Sequence, residues 1–314
     1  MFLRSVESTF ILIILISVGW ILSKIGWIND DVKSFLNKLA VKIGVPALTI
    51  TNFFENFSKE MIISSYKFVG IAVLSMIVLI IITKGLSKIM KIEATKSGSF
   101  VSMSSASNSM FFGLPICLSL FGEISIPYIL FYYVANTVIF WGVLSPMIAK
   151  DGNNRVDNIF RNLKNIFNIP LITVILSGIL LYFNLKPPVI VLKTAKYFSS
   201  LVTPLACMVV GKIIYDMELK NYKLDRSVYT VVFMRFIISP FVMYTITRFF
   251  HMPILAKQVF IIQSAMPVMM QTTIVSELYN TDSKYVAVSL SLTTLLSLFT
   301  IPIYMFIMDK IFIK

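Results

Sequence analysis

The apolar run at residues 97–122 contains an amide side chain close to a proline. Asn108 lies seven residues before Pro115, with Gly113 between them. Proline has no backbone donor and its ring clashes with the preceding turn, so backbone groups near it lose their helical partners. A carboxamide and freed backbone groups can hydrogen-bond a small polar ligand. The pattern therefore predicts a binding site rather than a catalytic centre.

A second apolar run, residues 258–276, has a similar pattern, because Gln271 follows Pro267 at close range. Two interrupted helices in corresponding positions are the best indication in a sequence of a ligand site near the membrane midplane. The alternative is that the polar residues, such as Ser102, only pack helices together. For the bulkier amides of Asn108 and Gln271 we favour contact with a ligand.

Ionisable residues inside apolar runs are costly and therefore indicate function. Arg235 lies near the middle of the run 227–247. Its guanidinium could bind a carboxylate through two hydrogen bonds, or it could hold carbonyl groups freed by Pro240, and both interpretations stay open. Glu277, at the end of its run, is the candidate for proton coupling, with an interfacial end charge as the alternative. The scarcity of other buried acids favours an anionic substrate.

Enzymatic chemistry is poorly supported by the remaining reactive residues. The chain has one histidine, His251, and two cysteines, Cys117 and Cys207, both within apolar stretches. This composition excludes His-rich zinc catalysis, cysteine-cluster metal sites and a disulfide framework. No phosphate-binding loop of the G-x-x-x-x-G-K-[ST] type is present. We expect no enzyme activity and no cofactor or metal, and the sequence does not indicate whether H⁺ or Na⁺ is coupled.

The elements that position these residues must lie in a membrane. Of the 314 residues, 57% are hydrophobic and only 14% are charged, and the mean hydropathy is +0.84. Soluble domains carry about 25% charged residues. The composition excludes a soluble enzyme and a DNA-binding protein, so the net charge of +13 does not indicate a nucleic-acid partner. The lipid bilayer is the expected environment.

Charge-free runs predict ten transmembrane helices, since a span needs roughly 20 mainly apolar residues. The second run is the weakest, because Lys42 borders it and Pro46 interrupts it. The fold class is therefore an all-α polytopic membrane protein. The ten runs are residues 8–23, 43–54, 68–83, 97–122, 124–149, 165–185, 197–211, 227–247, 258–276 and 285–308.

The distribution of lysine and arginine predicts the orientation. Of the 28 positive residues, sixteen fall in loops on one side and ten on the side of the N-terminus, while Lys42 and Arg235 fall within spans. Loops rich in positive charge remain in the cytoplasm. Both termini are therefore expected outside the cell, in a multi-pass protein of the plasma membrane.

The ten runs divide into two halves of five spans each, and prolines and a polar pair occur at similar positions in both halves. Prolines recur at offsets of 152 to 158 residues, and the pair Asn136-Thr137 is answered by Thr293-Thr294 at an offset of 157. Because five is odd, the second half must enter the membrane from the opposite side, as in the inverted repeats of secondary transporters. The predicted units are a first repeat at 1–149, a cytoplasmic loop at 150–168 and a second repeat at 169–314. The candidate substrate-binding residues are Asn108, Gly113, Pro115, Asn136, Thr137, Arg235, Pro267, Gln271, Thr272, Thr293 and Thr294.

These motifs resemble the auxin efflux carrier family, which includes plant auxin exporters and bacterial malate- and malonate-permease-like members. The resemblance covers the whole chain. It is carried by Asn108 with Gly-Leu-Pro115-Ile and Phe121-Gly122, by Ala265-Met266-Pro267 through Glu277-Leu278-Tyr279-Asn280, by residues 291–303, by Lys42 with Pro46-Ala-Leu, and by Arg235 before Pro240.

The resemblance implies an elevator-type carrier and a homodimer. Spans 1, 2, 6 and 7 would form a scaffold and dimer interface, and spans 3–5 and 8–10 a mobile transport domain whose broken helices cross at Pro115 and Pro267. Asn108 stands where plant members have a substrate-binding asparagine. Gln271 and Thr272 stand where plant carriers have an apolar residue and a second proline, which disfavours an indole substrate.

The sequence thus favours a secondary transporter of a small organic anion, either a carboxylate or an auxin-like acid. The alternative is a sodium- or proton-coupled cation antiporter, or a channel, on a similar inverted-repeat scaffold. A membrane enzyme or sensor is the third class, and the chain has neither the catalytic groups nor the soluble domain that it needs. The particular anion and the direction of transport stay open.

Overall fold

The computed structural model describes residues 2–152, 166–216 and 224–312. Regular structure in these residues is helical, apart from one isolated antiparallel bridge between Ser107 and Val268. The first half contains the helices α1 (Phe2–Lys24), α2 (Asp30–Leu39), α3 (Val45–Asn56), α4 (Lys59–Ile89), α5 (Ala94–Ser105), α6 (Leu114–Phe121), α7 (Ile126–Ile139) and α8 (Ser145–Asp151).

The second half continues with eight further described helices. They are α9 (Ile169–Tyr182), α10 (Val189–Ser199), α11 (Val202–Tyr215), α12 (Arg226–Phe233), α13 (Ser239–Arg248), α14 (Ile254–Ser264), α15 (Gln271–Leu278) and α16 (Ser283–Phe312). The predicted loop 150–168 falls mostly on residues 153–165, which lie outside the described residues, as do residues 217–223 and Lys314. The charges assigned to those positions therefore remain predictions.

Within the described ranges, five helical runs are long and apolar enough to cross a membrane. Four shorter apolar helices, of 10 to 17 residues, accompany them. The described residues therefore form an all-helical structure with several helices able to span a bilayer, as in a polytopic membrane protein. The five long runs are Lys59–Ile89, Glu123–Asp151, Val189–Tyr215, Arg226–Arg248 and Ser283–Phe312.

Prolines shape the helices by widening the turn before them. In each of four places along the described chain a π-helical turn ends two residues before a proline, which then occupies the first turn of the next α-helix. A proline ring clashes with the carbonyl four residues back and offers no donor. A π-turn, which bonds residues five apart, accommodates this defect without ending the helix. The four turns are Ala40–Gly44, Ser109–Gly113, Phe140–Leu144 and Met234–Ile238.

Helix packing falls into two groups. α1 packs along α11, and α3 packs against α9 and α10. In the other group α4 packs against α5, α7 and α13, and α5 packs against α8. α1 also touches α6 and α16, so the two groups share a boundary.

The contact between α1 and α11 is close enough to require glycine. A Cβ atom on Gly19 would lie 2.5 Å from the carbonyl oxygen of Met208. A Cβ atom on Gly211 would lie 2.5 Å from the backbone nitrogen of Trp20. Backbone therefore meets backbone at this crossing, and any side chain larger than hydrogen would separate the helices.

Candidate functional site

Two helices stop inside the molecule and their continuations face each other. α5 ends before residues 106–108, and α14 ends before residues 265–270, where the chain is not helical. Ser107 pairs with Val268 in the isolated bridge, and the backbone N–H of Asn108 donates to the carbonyl of Pro267 at 2.9 Å. We call residues 106–108 the first interruption and residues 265–270 the second interruption.

The first interruption is displaced from the position that the sequence predicted. It begins nine residues before Pro115, which instead lies in the first turn of α6. Proline is tolerated there because the π-turn Ser109–Gly113, directly before it, accommodates the ring and the missing N–H without ending the helix. Pro267, by contrast, lies within the second interruption, as predicted. The facing segments therefore centre on Ser107 and Val268 rather than on two prolines.

Asn136 on α7 holds the first interruption. Its side-chain Nδ2 donates to the carbonyl of Ser107 at 2.8 Å and to Ser109 Oγ at 3.2 Å. Its Oδ1 accepts from the backbone N–H of Ser107 at 3.3 Å. Asn136 is fully buried. One carboxamide thus satisfies both backbone groups of a residue that has left the helix.

Thr293 on α16 has the corresponding position beside the second interruption. The backbone N–H of Val268 donates to Thr293 Oγ1 at 3.2 Å, and this hydroxyl donates back to the carbonyl of Ser289 at 2.7 Å. Thr293 is fully buried. The residue paired with Asn136 in the sequence pattern therefore contacts the opposite half of the Ser107–Val268 bridge.

Arg235 bonds to the carbonyl ends of both helices that stop. Its Nε and Nη2 donate to the carbonyl of Met266 at 3.0 and 2.7 Å, and Nη2 also donates to Ser264 at 2.6 Å. Nη1 lies 3.5 Å from the carbonyl of Ser104 at the end of α5. The side chain is fully buried, and none of the ion pairs in the described part of the chain involves it. Its positive charge is therefore solvated by backbone dipoles alone.

Asn108 caps the turn that follows the first interruption. Its Oδ1 accepts from the backbone N–H of Phe111 at 3.3 Å, and its carbonyl accepts from Gly113 at 2.9 Å. The side chain is 3% exposed, so protein encloses most of this carboxamide. A carboxamide has two N–H donors on its Nδ2, which can serve a ligand acceptor.

A cavity of about 300 Å³ lies beside the first interruption and between the two packing groups. Tyr133 and Asn168 form part of its wall, and Tyr133 Oη donates to Asn168 Oδ1 at 2.8 Å. Gln271 is half-buried in the wall. An apolar lining with a few convergent polar groups is typical of small-molecule sites. The lining residues are Val41, Met110, Phe111, Tyr133, Trp141, Asn168 and Gln271.

Gly113 allows the chain after the first interruption to approach α14. A Cβ on this glycine would lie 2.8 Å from Gln263 Cδ and would overlap Gln263 Oε1. Gln263 is fully buried, its Nε2 donates to Cys117 Sγ at 3.7 Å, and its Oε1 has no described partner. Gly113 thus has a steric role beside the interruptions.

The other residues predicted for the site lie in different surroundings. Thr272 Oγ1 lies 3.2 Å from Ser102 Oγ and joins α15 to α5. Thr294 is buried but bonds only its own helix, at the carbonyl of Leu290, and Thr137 is buried next to Asn136. Glu277 is exposed and takes part in no described ion pair.

Several residues around the cavity were not singled out from the sequence. Ser107 stands in a serine-rich stretch in which no single serine is distinctive. Tyr133 and Asn168 reach each other across two helices. Asn168 did carry a signal, because it stands directly before an Ile-Pro helix start and accepts from the N–H of Leu171 as the N-cap of α9.

Aromatic rings contact each other across the boundary between the packing groups. Phe57, which follows α3, meets Phe131 of α7 at 5.8 Å between ring centroids, and Phe131 stacks on Phe68 at 5.5 Å. Phe53 stacks on Phe57 at 3.9 Å. These four rings are buried. They make a continuous contact from one packing group to the other.

Comparison with known proteins gives consistent results. The sequence model of the family described as membrane transport protein matches residues 4–305. An uncharacterized transporter of Methanocaldococcus jannaschii is 29% identical over 304 residues, covering 94% of this chain and 96% of its own length. An uncharacterized transporter of Methanothermobacter thermautotrophicus is 23% identical over 316 residues, covering 96% and 98% of the two chains.

Proposed function

The chain belongs to the membrane transport protein family, which includes the auxin efflux carriers, and we propose that it is a secondary transporter of a small organic anion. One observation carries the choice of an anion. The buried guanidinium of Arg235 has no acidic partner among the described residues, and it lies at the two interruptions, the first of which contains Asn108. An uncompensated positive charge in a medium of low dielectric attracts an anion and repels a cation.

The substrate is proposed to bind in the cavity lined by Met110, Tyr133 and Gln271. The amide of Asn108 and the positive field of Arg235 would act on its carboxylate from the adjoining interruption. The apolar part of the wall would hold the remainder of the molecule. A neutral ligand of equal shape would lack the electrostatic contribution, so charge would determine specificity.

The proposed mechanism is elevator-type alternating access. Ten spans in two inverted repeats would place α1, α3 and α9–α11 in a scaffold and the remaining spans in a moving domain. The two packing groups support this division. The boundary between the groups also supports it, because it contains the cavity and the contact of Phe57 with Phe131. The protein would act as a homodimer in the plasma membrane, with both termini outside.

Under this orientation the cavity would open toward the cytoplasm, since Asn168, at the end of the predicted cytoplasmic loop 150–168, forms part of its wall. The variant Glu93→Cys, in a protein that lacks Cys117 and Cys207, tests the orientation directly. We expect an impermeant reagent added to intact cells to leave this cysteine unlabelled. Ready labelling from outside would reverse the assignment.

Transport is tested with purified protein in proteoliposomes. Saturable uptake and counterflow of a carboxylate would support a carrier, whereas unsaturable flux without counterflow would favour a channel. A thermal-shift screen of dicarboxylates, monocarboxylates and indole acids selects the substrate, because a ligand of the native state raises its apparent stability.

Asn108→Ala is the decisive variant for the site. It should weaken substrate binding by about 1–3 kcal/mol, the usual cost of losing a buried hydrogen-bond partner. Asn56→Ala is the matched control, since this partly buried amide donates only to Asn52 Oδ1, at 2.7 Å. Unchanged affinity in folded Asn108→Ala would remove the interruptions from the proposed site.

A further inference from the structure

A second cavity, of about 430 Å³, lies at the opposite end of α13 from the candidate substrate site. It occupies the connection between the last turn of α13 and the first turn of α14. We call it the 248–257 cavity. Its walls are Arg248, Phe250, His251, Met252, Pro253 and Lys257.

The basic side chains of this cavity have no acidic partner among the described residues. Arg248 and Lys257 carry positive charge, and His251 adds a third nitrogen-bearing side chain. None of the described ion pairs includes any of the three, and Arg248 lies over the ring of Tyr244 at 5.8 Å from its centroid. The sequence has no Asp or Glu between Asp225 and Glu277, so neither adjoining helix can supply a partner. An external anion can therefore act as a counterion.

The beginning of α14 adds backbone donors at the same place. Its N-cap residue, Pro253, lines the cavity and provides no side-chain cap. The first helical hydrogen bond runs from the N–H of Lys257 to the carbonyl of Pro253. The N–H groups of residues 254–256 are therefore without helical acceptors, and the helix dipole favours negative charge there.

We propose that the 248–257 cavity binds an oxyanion of the phosphate class. The planar fork of Arg248 matches two phosphate oxygens, and Lys257 supplies a second charge from one turn into α14. Two sources carry this chemistry: inorganic phosphate and the headgroup of an anionic phospholipid. Phe249 and Phe250, which are 81% and 41% exposed, flank Arg248 and suit the acyl region of a bilayer, which favours the lipid.

Binding is measured by calorimetry on the purified full-length protein in detergent. The probes are sodium phosphate, with sodium chloride at equal ionic strength as its control, and dihexanoyl phosphatidylglycerol, with dihexanoyl phosphatidylcholine as its control. We expect wild type to bind at least one anionic probe. The double variant Arg248→Gln, Lys257→Gln should bind it about a hundredfold more weakly, because two charge-assisted hydrogen bonds are lost.

Two further variants make the result specific. Lys186→Gln with Lys193→Gln removes two exposed charges from another connection and should leave the affinity unchanged. Arg248→Lys keeps the charge without the fork and should bind with intermediate affinity. Binding of phosphatidylglycerol alone identifies a lipid site, and binding of both probes identifies a general oxyanion site. The proposal is overturned if wild type binds neither probe, or if the two double variants bind equally.

Discussion

The two interruptions differ in length and in how they are held, although they face each other. The first has three residues and is fixed by a neutral carboxamide, that of Asn136. The second has six residues and is fixed by the hydroxyl of Thr293 and the guanidinium of Arg235. Two interruptions that face each other can therefore be stabilised by different chemistry.

The difference follows from the number of free carbonyl groups. In the first interruption both backbone groups of Ser107 find one amide. In the second, Pro267 offers no N–H, and the carbonyls of Ser264 and Met266 point to a common donor. Arg235 has enough N–H groups to serve both. The longer interruption thus places a permanent charge at the centre of the molecule.

The largest effect is expected for Arg235→Met. Two buried carbonyl oxygens would lose charged donors, each bond contributing about 1.5–3 kcal/mol, so the free energy of unfolding should fall by about 3–6 kcal/mol. Thermal unfolding in detergent measures the change. Arg226→Met, at an exposed position that begins α12, should stay within about 0.5 kcal/mol of wild type.

Arg235→Lys separates charge from hydrogen bonding. It should lower stability but keep the preference for a carboxylate over a neutral analogue, whereas Arg235→Gln should lose that preference. Equal loss of affinity for both ligands in Arg235→Gln would restrict Arg235 to holding the second interruption.

Asn136→Ala should have the next largest effect. The N–H of Ser107 would be left without a partner, at about 1–3 kcal/mol for a buried group. Its carbonyl would lose one of two donors, at about 0.5–1.5 kcal/mol, and keep the N–H of Ser109 at 2.8 Å. We therefore expect a loss of about 2–4 kcal/mol. The neighbouring Thr137→Ala removes no bond to the first interruption and should lose less. Equal losses in the two variants would show that Asn136 does not hold Ser107.

Gly113→Ala tests the contact between the two halves. The added methyl would meet Gln263, and overpacking of a buried site costs about 1–3 kcal/mol. Gly142→Ala is the matched control, since a Cβ there meets no atom within 4 Å. The double variant Gly113→Ala, Gln263→Ala should recover stability relative to Gly113→Ala. A failure to recover would place the strain elsewhere.

Thr293→Val should have the smallest effect, about 0.5–1.5 kcal/mol, because one neutral hydrogen bond to Val268 is lost and the shape is kept. Hydrogen exchange at the Val268 amide should become faster. Thr294→Val, which removes only a bond within α16, should leave that amide unchanged. If Thr293→Val lowered the free energy of unfolding as much as Asn136→Ala, the second interruption would depend on Thr293 as strongly as the first depends on Asn136.

Hydropathy predicted where helices lie, because burial in lipid selects apolar residues over the whole length of a span. The charge-free runs 68–83 and 285–308 fall inside α4 and α16. Proline was a less reliable guide to where helices stop. Pro302, predicted as the counterpart of Pro146, lies inside the continuous α16, while Pro146 follows a π-turn.

The sequence indicated several residues that lie near the interruptions, but it did not indicate the contacts between them. Asn108, Asn136 and Thr293 do lie at the interruptions. The two interpretations of Arg235 could not be separated, because its acceptors, such as Met266, are about thirty residues away and not near Pro240. Contacts between distant residues leave no trace in periodicity, so only the structure identifies them.

The contact of α1 with α11 at two glycines provides a fixed reference distance for spectroscopy. Because the backbones touch at Gly19 and Gly211, these two helices have no space in which to slide or tilt against each other. Spin labels on their exposed faces should therefore keep one narrow distance distribution with and without substrate. The distances from a third label on α4 to the labels on α1 and α11 would then report displacement of the other packing group. Because the distance between α1 and α11 stays constant, any change in these distances comes from that group.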